Sequence, residues 1–538
     1  ADLEDLNGGG RDDIVVVTGG QVKYWLNRGD RFDDPITISS SEINDLPTRD
    51  MGTQVFYADM NANGSEDIVW IKSGQDVQFL ELFPQRPNLM NKVNNGIGFE
   101  QRITYSTAAR QEASARGTDR EWTRSLNTSM AVVGRSDIYV TLTGDEDGTG
   151  LHDVVDYWYQ NGFYDGIEKQ FRGFARVEAV RQGNMYQEGE TTITEYNLGD
   201  EDVYYNGLLL RSETWSGDAA IKEDLSEYSD CALSEVPTAT ELTALGRFPV
   251  RYVCQTGTTA ILKEGAPESE WKTIQILNEY DGYGNLTKIT EEGVVGVEGD
   301  EIITETTFAD PTNIWSLSIP VEQKIYDEVS GDTKVRTYYY DGEPFVGLPK
   351  GEVQVGFLSR EEVKVNNEGK TLMATRQMRD DYGNVLETLD PNGSPEQMTT
   401  HRRRYTYDQH NLFISATEVL LEDEQGPYSL RRESRFDTKW QKPNYLSSWV
   451  ILRDGQPQSP ENSTSVVYDD LGRMIQKIMP GDENDKATVE YSYDLGDPFS
   501  SVTVSYRSTL NGAIDEQTKL CFDGKGRSYQ ERTRLKNN

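Results

Sequence analysis

The chain has 538 residues, with 53 Lys and Arg against 91 Asp and Glu, so its formal net charge is −38. A chain this acidic repels phosphate backbones, which argues against a nucleic-acid-binding protein. No run approaches the roughly 18 consecutive apolar residues of a membrane-spanning helix, so we expect no membrane insertion. Aromatic residues make up 10% of the chain, which is too many for a disordered acidic polypeptide, so we expect a folded protein.

The start of the chain and its cysteines give two further expectations. The first ten residues contain no Met, no basic stretch and no apolar stretch, so no signal peptide is visible and we expect a fragment or a processed chain. The three Cys cannot form a disulfide framework. Cys231 and Cys254 could form one disulfide bond, which would leave Cys521 unpaired, and the alternative is three buried thiols.

The pattern along the chain predicts an all-β fold. Short runs rich in Val, Ile, Thr and Tyr alternate with clusters of Gly, Asn, Asp and Pro, which is typical of strands joined by turns. The clearest predicted strands are residues 14–17, 67–71, 101–105, 191–196, 334–340, 489–493 and 501–506. Helical periodicity is scarce, and it predicts two short helices, near residues 87–93 and 240–245.

Two segments near the start share one pattern of acidic and amide side chains, and each leads into a predicted strand. The side chains are Asp5, Asn7 and Asp13 in the first loop and Asp59, Asn61, Asn63 and Asp67 in the second. Oxygen ligands on alternate residues, a Gly in the sixth position and an Asp in the ninth are typical of a Ca²⁺ loop. The alternative is an Asx-rich turn without a metal, since Asn, Asp and Gly favour such turns by themselves.

The two loops differ in one ligand position, and a third loop has similar spacing. The first loop has Gly9 where a third oxygen ligand would lie. The loop at residues 145–153 is predicted to be an acidic hairpin turn rather than a Ca²⁺ site. The first two loops resemble the FG-GAP/VCBS repeats of β-propeller proteins. That resemblance implies partial propeller blades over residues 1–85, with Ca²⁺ as the possible cofactor.

A different unit recurs after about residue 97: an aromatic residue, then Asp, then Gly three residues later. The copies carry Tyr280, Asp281 and Gly284; Tyr468, Asp469 and Gly472; and Phe522, Asp523 and Gly526, with a degenerate copy at residues 380–384. We expect the ring to pack on a neighbouring strand, the Asp to bind backbone amides and the Gly to adopt a positive φ. Stacked hairpins of this kind would form one long spiralling antiparallel sheet.

These units resemble Rhs/YD repeats, and residues 157–178 carry a more specific pattern. Within them, Phe171, Arg172, Gly173 and Phe174 form a Phe-Arg-Gly-Phe signature. The segment resembles the signature of the B component of bacterial Tc (toxin complex) insecticidal toxins. Further matches follow in the family's order at residues 340–351, 407–413, 436–443 and 522–527. The resemblance covers most of residues 97–534.

The resemblance implies an architecture, a function and partners. A β-propeller and a spiral Rhs sheet combine with the C component to form a hollow shell, which encloses a toxic C-terminal polypeptide. The propeller docks on a pore-forming A component, and the complex is a secreted bacterial virulence factor. The predicted domains are partial propeller blades at 1–85, a middle region with the signature at 86–265 and a repeat shell segment at 266–538. Since a full propeller, a self-cleaving protease and a toxin are missing, we expect a middle piece of such a protein.

No motif in the sequence indicates catalysis. None of the three His has the spacing of a metal-binding helix motif such as H-E-x-x-H. A segment at residues 369–371 that resembles the end of a P-loop lacks the first Gly of that motif. With 91 carboxylates, acidic pairs occur by chance at almost any spacing. The basic run Arg402, Arg403 and Arg404 is predicted to pair across strands rather than to bind an acidic partner. We therefore predict a non-enzymatic shell segment, and the alternative is a secreted, calcium-dependent adhesion or surface-recognition protein with Rhs-like repeats.

Overall fold

The structure is a computed structural model. It describes all residues except 44–45, 73, 75–76, 127, 141–150, 185–186, 235–250, 311–317, 367–370, 484, 497–499 and 536–538. The chain forms two compact units. Unit 1 comprises Ala1–Glu223 and Glu264–Ala266, and unit 2 comprises Asp224–Lys263 and Pro267–Asn538. The predicted domain boundaries after residues 85 and 265 stay predictions.

Unit 1 begins with two small antiparallel sheets that share a core. The first sheet has the order β1 (Asp2–Glu4), β2 (Asp13–Thr18), β3 (Gln21–Trp25) and β4 (Ile36–Ser39), and the second has β5 (Thr53–Ala58), β6 (Asp67–Lys72) and β7 (Gln78–Leu80). Alternate side chains of β2 are buried, as expected for a strand with one face on a core. Val15 and Val22 from the first sheet pack with Ile68 and Trp70 from the second.

The rest of unit 1 is an antiparallel meander with one α-helix. Its elements are β8 (Lys92–Asn94), β9 (Phe99–Thr107), α1 (Ala108–Ala115), β10 (Ala131–Val140), β11 (Leu151–Asp165), β12 (Gln170–Arg181), β13 (Glu190–Tyr196) and β14 (Leu209–Ser216). Each of these strands pairs antiparallel with the next along the chain. A short 3-10 helix lies at Val203–Tyr205, and β15 (Ala219–Cys231) begins in this unit.

Unit 2 continues as an open antiparallel sheet. Its strands are β16 (Tyr252–Leu262), β17 (Lys272–Tyr280), β18 (Leu286–Val294), β19 (Ile302–Phe308), β20 (Pro320–Tyr326), β21 (Thr333–Tyr340), β22 (Leu358–Val365), β23 (Thr371–Arg379), β24 (Val385–Leu389), β25 (Arg402–Tyr407), β26 (Ile414–Asp423), β27 (Gly426–Asp437), β28 (Lys442–Ser447), β29 (Val450–Arg453), β30 (Gln456–Pro457), β31 (Ser463–Tyr468), β32 (Met474–Ile478), β33 (Val489–Leu495), β34 (Ser500–Tyr506), β35 (Glu516–Phe522) and β36 (Ser528–Leu535). A second short 3-10 helix lies at Glu268–Glu270.

Strand β27 is a branch point in this sheet. Its first half, at residues 429–431, pairs with β29, whereas its second half, at residues 434–437, pairs with β28. Strand β28 then pairs with β31 rather than with β29. Outside this region, successive strands pair with their neighbours in sequence. The short β29–β30 hairpin is therefore inserted between β28 and its partner along the chain.

The predicted all-β fold is confirmed, and every strand predicted above lies within or on an observed strand. The helix predicted near residues 87–93 is wrong. Pro87 cannot donate a helical hydrogen bond, Asn88 has a φ of 65°, and the segment is a turn that leads into β8. The structure instead has α1, which the prediction missed. The helix predicted near residues 240–245 lies outside the described residues.

The structure joins Cys231, at the end of β15, to Cys254 in β16 by a disulfide bond, with the Cα atoms 5.7 Å apart. Cys521 is a free, buried thiol. None of the helices in the described part of the chain has the length and hydrophobicity that crossing a bilayer requires.

Candidate functional site

The two acidic loops have the same hydrogen-bond pattern at their first Asp. The carboxylate of Asp5 accepts the N–H groups of Gly9 at 2.8 Å and Gly10 at 2.7 Å. The carboxylate of Asp59 accepts the N–H groups of Asn63 and Gly64, each at 2.9 Å. Since the bonded amides are at positions 5 and 6 in both loops, the first Asp closes each turn in the same way.

The last Asp of each loop is completely buried. One oxygen of Asp13 accepts the N–H of Asn27 at 2.7 Å, and one oxygen of Asp67 accepts the N–H of Met60 at 2.9 Å. The other carboxylate oxygen of each residue is buried without a hydrogen-bond partner among the described residues. Burial raises the pKa of both carboxyl groups above the usual Asp value. A bound cation would satisfy such an oxygen, because buried polar atoms otherwise lose their hydration without compensation.

The amide side chains of the two loops are used differently. Asn7 Oδ1 in the first loop is buried and has no partner. Asn61 Oδ1 accepts from Arg110 at 3.1 Å, and Asn63 Oδ1 accepts from the N–H of Ser65 at 2.8 Å. Among the predicted ligands, the first loop therefore has two unpartnered buried oxygens, on Asn7 and Asp13, whereas the second loop has one, on Asp67, besides Oε2 of Glu66, which is not a predicted ligand. By this measure the first loop fits a cation better than the second, although its sequence departs further from the Ca²⁺ pattern.

The two loops lie against each other. The N–H of Glu66 donates to the carbonyl of Leu6 at 3.2 Å. Gly8 has a φ of 66°, and a Cβ at this position would come within 2.4 Å of the Gly64 carbonyl oxygen. Any larger residue would therefore separate the loops. Arg86 crosses this junction and donates to the Gly8 carbonyl.

Glu66 stands out among the acidic groups at the loop junction. Its Oε2 atom is buried and has no hydrogen-bond partner among the described residues. Burial and, to a smaller extent, the nearby carboxylates of Glu4, Asp5, Asp12 and Asp59 together raise its pKa to about 7. Glu66 therefore gains and loses its proton near neutral pH.

Phe171 of the Phe-Arg-Gly-Phe signature lines a cavity with residues of these loops, a proximity that no sequence pattern predicted. A cavity of about 460 Å³ is lined by Asp5, Asp59, Glu66 and Arg86 from the loop side and by Tyr164 and Phe171 from the β11–β12 hairpin. These residues are far apart in sequence, and no local pattern connects them. The tertiary fold alone brings the two predicted sets together.

Arg172 of the signature is a buried structural cation. Its side chain is 5% exposed and forms an ion pair with Asp165 on the facing strand. Its Nη1 donates to the carbonyl of Gly199 at 2.7 Å, so one guanidinium ties the hairpin to the loop between β13 and β14. Gly173, with a φ of 115°, lies opposite Phe163 at a bulge in the β11–β12 pairing.

The aromatic residues of the signature form a cluster around Phe174. Its ring centroid lies 5.2 Å from that of Phe171, 4.8 Å from that of Tyr159 and 6.0 Å from that of Trp122. Two of these contacts are edge-to-face, a geometry that aromatic pairs prefer. The signature therefore consists of side chains that fix a bulged hairpin in place.

The aromatic–Asp–Gly units form tight turns with the same contacts. Asp281 Oδ1 accepts the N–H groups of residues 283 and 285, each at 2.9 Å, and Asp469 Oδ1 does the same with residues 471 and 473. Gly284 and Gly472 have φ values of 83° and 72°. The Tyr280 hydroxyl donates to a carbonyl on the preceding strand at 3.0 Å. The Tyr hydroxyls of residues 340, 407, 468 and 493 make the same kind of contact.

Two residues of the basic run, Arg402 and Arg404, pair across strands as expected. Arg402 and Glu387 form an ion pair in which their side chains are 3% and 6% exposed. Arg404 Nε lies 2.8 Å from the second oxygen of Glu387. Arg402 also donates to the carbonyl of Gln397 at 2.6 Å. Arg402 and Glu387 thus form a buried ion pair that holds a loop against the sheet, and Arg404, which is 41% exposed, is a second partner of Glu387.

Other candidate sites can be placed only in part. Among the described residues, no three His, Cys, Asp or Glu side chains come together as a metal-binding group, so a cation in the acidic loops would need amide or backbone oxygens as well. Most of the third acidic loop and two residues of the P-loop-like ending lie outside the described residues.

Comparison with known proteins places this geometry in context. Residues 34–199 match the family model of the insecticide toxin TcdB middle/N-terminal region. No curated protein matches the chain at a significant level of sequence similarity.

Three solved structures have the same fold. The chain matches a TcdB2-TccC3 structure with a TM-score of 0.76 and 15% identity, over 99% of this chain and 33% of that one. It matches a TcdB2-TccC3-Cdc42 structure with a TM-score of 0.77 and 13% identity, over 99% of this chain and 35% of that one. It matches the Photorhabdus luminescens Tc holotoxin pore with a TM-score of 0.78 and 13% identity, over 99% of this chain and 34% of that one. The chain thus spans about a third of the length of the solved chains it matches. The predicted resemblance to the B component of Tc toxins is confirmed, in sequence over residues 34–199 and in fold over 99% of the chain.

Proposed function

We propose that the chain is a structural segment of the shell of a Tc-type toxin. The shell would enclose a toxic polypeptide until delivery, and this segment would act as a wall without a catalytic role. The observation that carries the proposal is the match of nearly the whole chain to the fold of TcdB2 complexes. The proposed location is extracellular, since insecticidal toxin complexes act on other organisms.

The burial pattern of unit 2 supports a wall rather than a solid core. In a sandwich, side chains of each strand alternate between buried and exposed positions. In β18, β20, β21 and β32, most side chains on both faces are half-buried instead. Such strands fit a single-layer sheet in which both faces are partly covered by neighbouring side chains. Cation–π contacts, such as Arg360 over Tyr339 and Arg473 over Tyr493, contribute to this cover.

The proposed partners are a C component that carries the toxic polypeptide and a pore-forming A component. Solved structures with this fold are complexes with TccC3 and a Tc holotoxin pore. We also propose that β1–β4 and β5–β7 are propeller blades that dock on the pore-forming partner. A four-stranded antiparallel meander like β1–β4 is the unit from which propellers are built.

We further propose that the first acidic loop binds Ca²⁺. Asp5, Asn7 and Asp13 would supply side-chain oxygens, and bound Ca²⁺ would stabilise the loop by neutralising its buried carboxylate. The unpartnered oxygens of Asn7 and Asp13 support this assignment. Isothermal titration with Ca²⁺ should give saturable heat that is lost in Asp13→Asn. Absence of heat in the unmodified chain would reject the site.

The shell proposal is tested on the full-length parent protein, expressed with its C component. Electron microscopy should reveal a hollow particle in which the toxic polypeptide is protected from added protease. The matched control is the same complex opened by mild denaturant, in which the polypeptide should become cleavable. A solid particle without an internal cavity would reject containment as the mechanism.

A further inference from the structure

We propose that a cationic cavity in unit 1 binds a short acidic peptide. The cavity has a volume of about 750 Å³ and is lined by Arg86, Lys92, Arg102 and Arg110, with no Asp or Glu among its lining residues. Acidic residues outnumber basic ones by 91 to 53 in the chain as a whole, so this lining reverses the overall balance. The inference does not depend on the proposed shell function.

Two of the four cations are not neutralised by a carboxylate. Arg86 donates to the carbonyl of Gly8, and Arg110 donates to the backbone and side-chain oxygens of Asn61 at 3.0 and 3.1 Å. These partners are neutral. Among the described residues, neither arginine has a carboxylate within ion-pair distance, although Arg110 acts on Asp67 electrostatically. Arg86 also lines the cavity that contains the acidic loop residues, so the unused donors available to an anionic ligand belong mainly to Arg110.

The other two cations share a single acidic partner. Lys92 on β8 and Arg102 on β9 both contact Glu100, at 2.5 and 2.7 Å, and Glu100 is not part of the cavity lining. Two positive charges thus face one negative charge. The side chains of Lys92 and Arg102 are 51% and 59% exposed, so a ligand can reach them from solvent.

The N-terminus of helix α1 adds to the positive field. Thr107, the N-cap residue, and Arg110, in the first turn, both line the cavity. The N–H groups at a helix N-terminus carry partial positive charge and favour anions. The first turn of α1 has no acidic residue and instead carries Arg110, an arrangement that an anion in the cavity would stabilise.

The remaining lining favours a peptide over a sulfated sugar. Pro84, Pro87, Leu89 and Ile103 give apolar walls, and amide and hydroxyl side chains lie between them. This mixture suits aliphatic stems with carboxylate ends. The one aromatic residue in the lining, Tyr105, has its hydroxyl bonded to the carbonyl of Met90 at 3.0 Å. The cavity therefore lacks a set of aromatic rings on which sugars could stack.

The test uses the full chain and a fluorescein-labelled peptide of Glu and Leu, with a Gln-and-Leu peptide as its neutral analogue. Fluorescence anisotropy should detect binding of the acidic peptide alone, and affinity should fall with added salt. The variant K92Q/R102Q should bind at least about tenfold more weakly. The matched control is R28Q/R31Q, which removes two exposed arginines from the β3–β4 connection and should leave binding unchanged.

Three outcomes would overturn the proposal. The acidic peptide fails to bind, whether or not a heparin oligosaccharide binds, or K92Q/R102Q binds the peptide as well as the unmodified chain does; the third outcome comes from competition. Inorganic sulfate serves as a competitor. Displacement of the peptide by millimolar sulfate supports an oxyanion-binding cavity, whereas equal displacement in K92Q/R102Q and the unmodified chain would place the peptide elsewhere. Circular dichroism of each variant excludes unfolding as the cause of lost binding.

Discussion

Substitution of Gly472 by Ala tests whether the aromatic–Asp–Gly turns hold the sheet together through backbone conformation or also through contact with Trp440 in the β27–β28 turn. Gly472 closes the turn that begins at Asp469, with its N–H bonded to the Asp469 carbonyl at 3.0 Å. It has a φ of 72°, and an added Cβ would lie 2.7 Å from Cε3 of Trp440. We therefore expect one added methyl group to lower the free energy of unfolding in two separate ways, through the backbone conformation and through the clash with Trp440.

The two costs can be estimated from the structure. A left-handed backbone costs a non-Gly residue about 1–2 kcal/mol. Overpacking against a ring costs about 1–3 kcal/mol more, because the Trp440 side chain must move. Gly526 is the matched control, since it ends an equivalent turn with a φ of 77° and has no atom within 4 Å of an added Cβ. Gly526→Ala should therefore lower the free energy of unfolding only by the cost of the left-handed backbone, about 1–2 kcal/mol.

Urea unfolding of the two variants and the unmodified chain, followed by tyrosine and tryptophan fluorescence, gives the measurement. Gly472→Ala should unfold at a lower urea concentration than Gly526→Ala, and hydrogen exchange should rise most in the strands that flank residue 472. Equal destabilisation of the two variants would refute the idea that Trp440 packing contributes. No destabilisation in either would refute the assigned turn conformation.

Three further outcomes are expected. The pKa of Glu66 is raised from 4.5 to about 7, so the contribution of its protonated form to stability is present at acidic pH and is lost as pH rises through 7. The difference in Tm between pH 6 and pH 8 should therefore be smaller in Glu66→Gln than in the unmodified chain. An unchanged difference would contradict the assignment. Arg402→Met leaves Glu387 with one partially exposed partner, so unfolding should become easier by about 3–5 kcal/mol, and a loss below 1 kcal/mol would contradict a buried pair. Arg172→Lys keeps the charge but cannot bond Asp165 and Gly199 in the same fork, so thermal unfolding should occur earlier; a wild-type Tm would exclude the two-point tie.

Local chemistry made much of the fold predictable. The run of Ile and Val in β2 and the Val-, Thr- and Tyr-rich runs of β13 and β21 are patterns that predict strands. The Asp–Gly turns contain Gly at the positions where the backbone has a positive φ. Helix α1 also had a readable signal, a Thr N-cap before an Ala-rich segment, which its short length obscured. At residues 87–93 the prediction failed because one left-handed residue, Asn88, outweighs the local pattern.

The candidate site was less predictable, for a physical reason. Sequence spacing identified both acidic loops, but it could not tell which oxygens stay unpartnered. Asn61 points its oxygen at Arg110, and Asn63 points its oxygen at Ser65, and these choices depend on groups outside the ligand pattern. The placement of Phe171 and Asp59 around one cavity likewise depends on tertiary packing between distant segments.

The strand order bears on how the protein is made. Where each strand pairs with its neighbour in sequence, every new hairpin can close on the ribosome soon after it emerges, because only short loops need to be ordered. The branch at β27 breaks that sequence of events. Strand β28 can pair with β27 at once, but its other edge waits until residues 463–465 of β31 have been synthesised. While residues 448–462 are being synthesised, this edge of β28 stays unpaired, and an unpaired strand edge is a template for pairing with other chains.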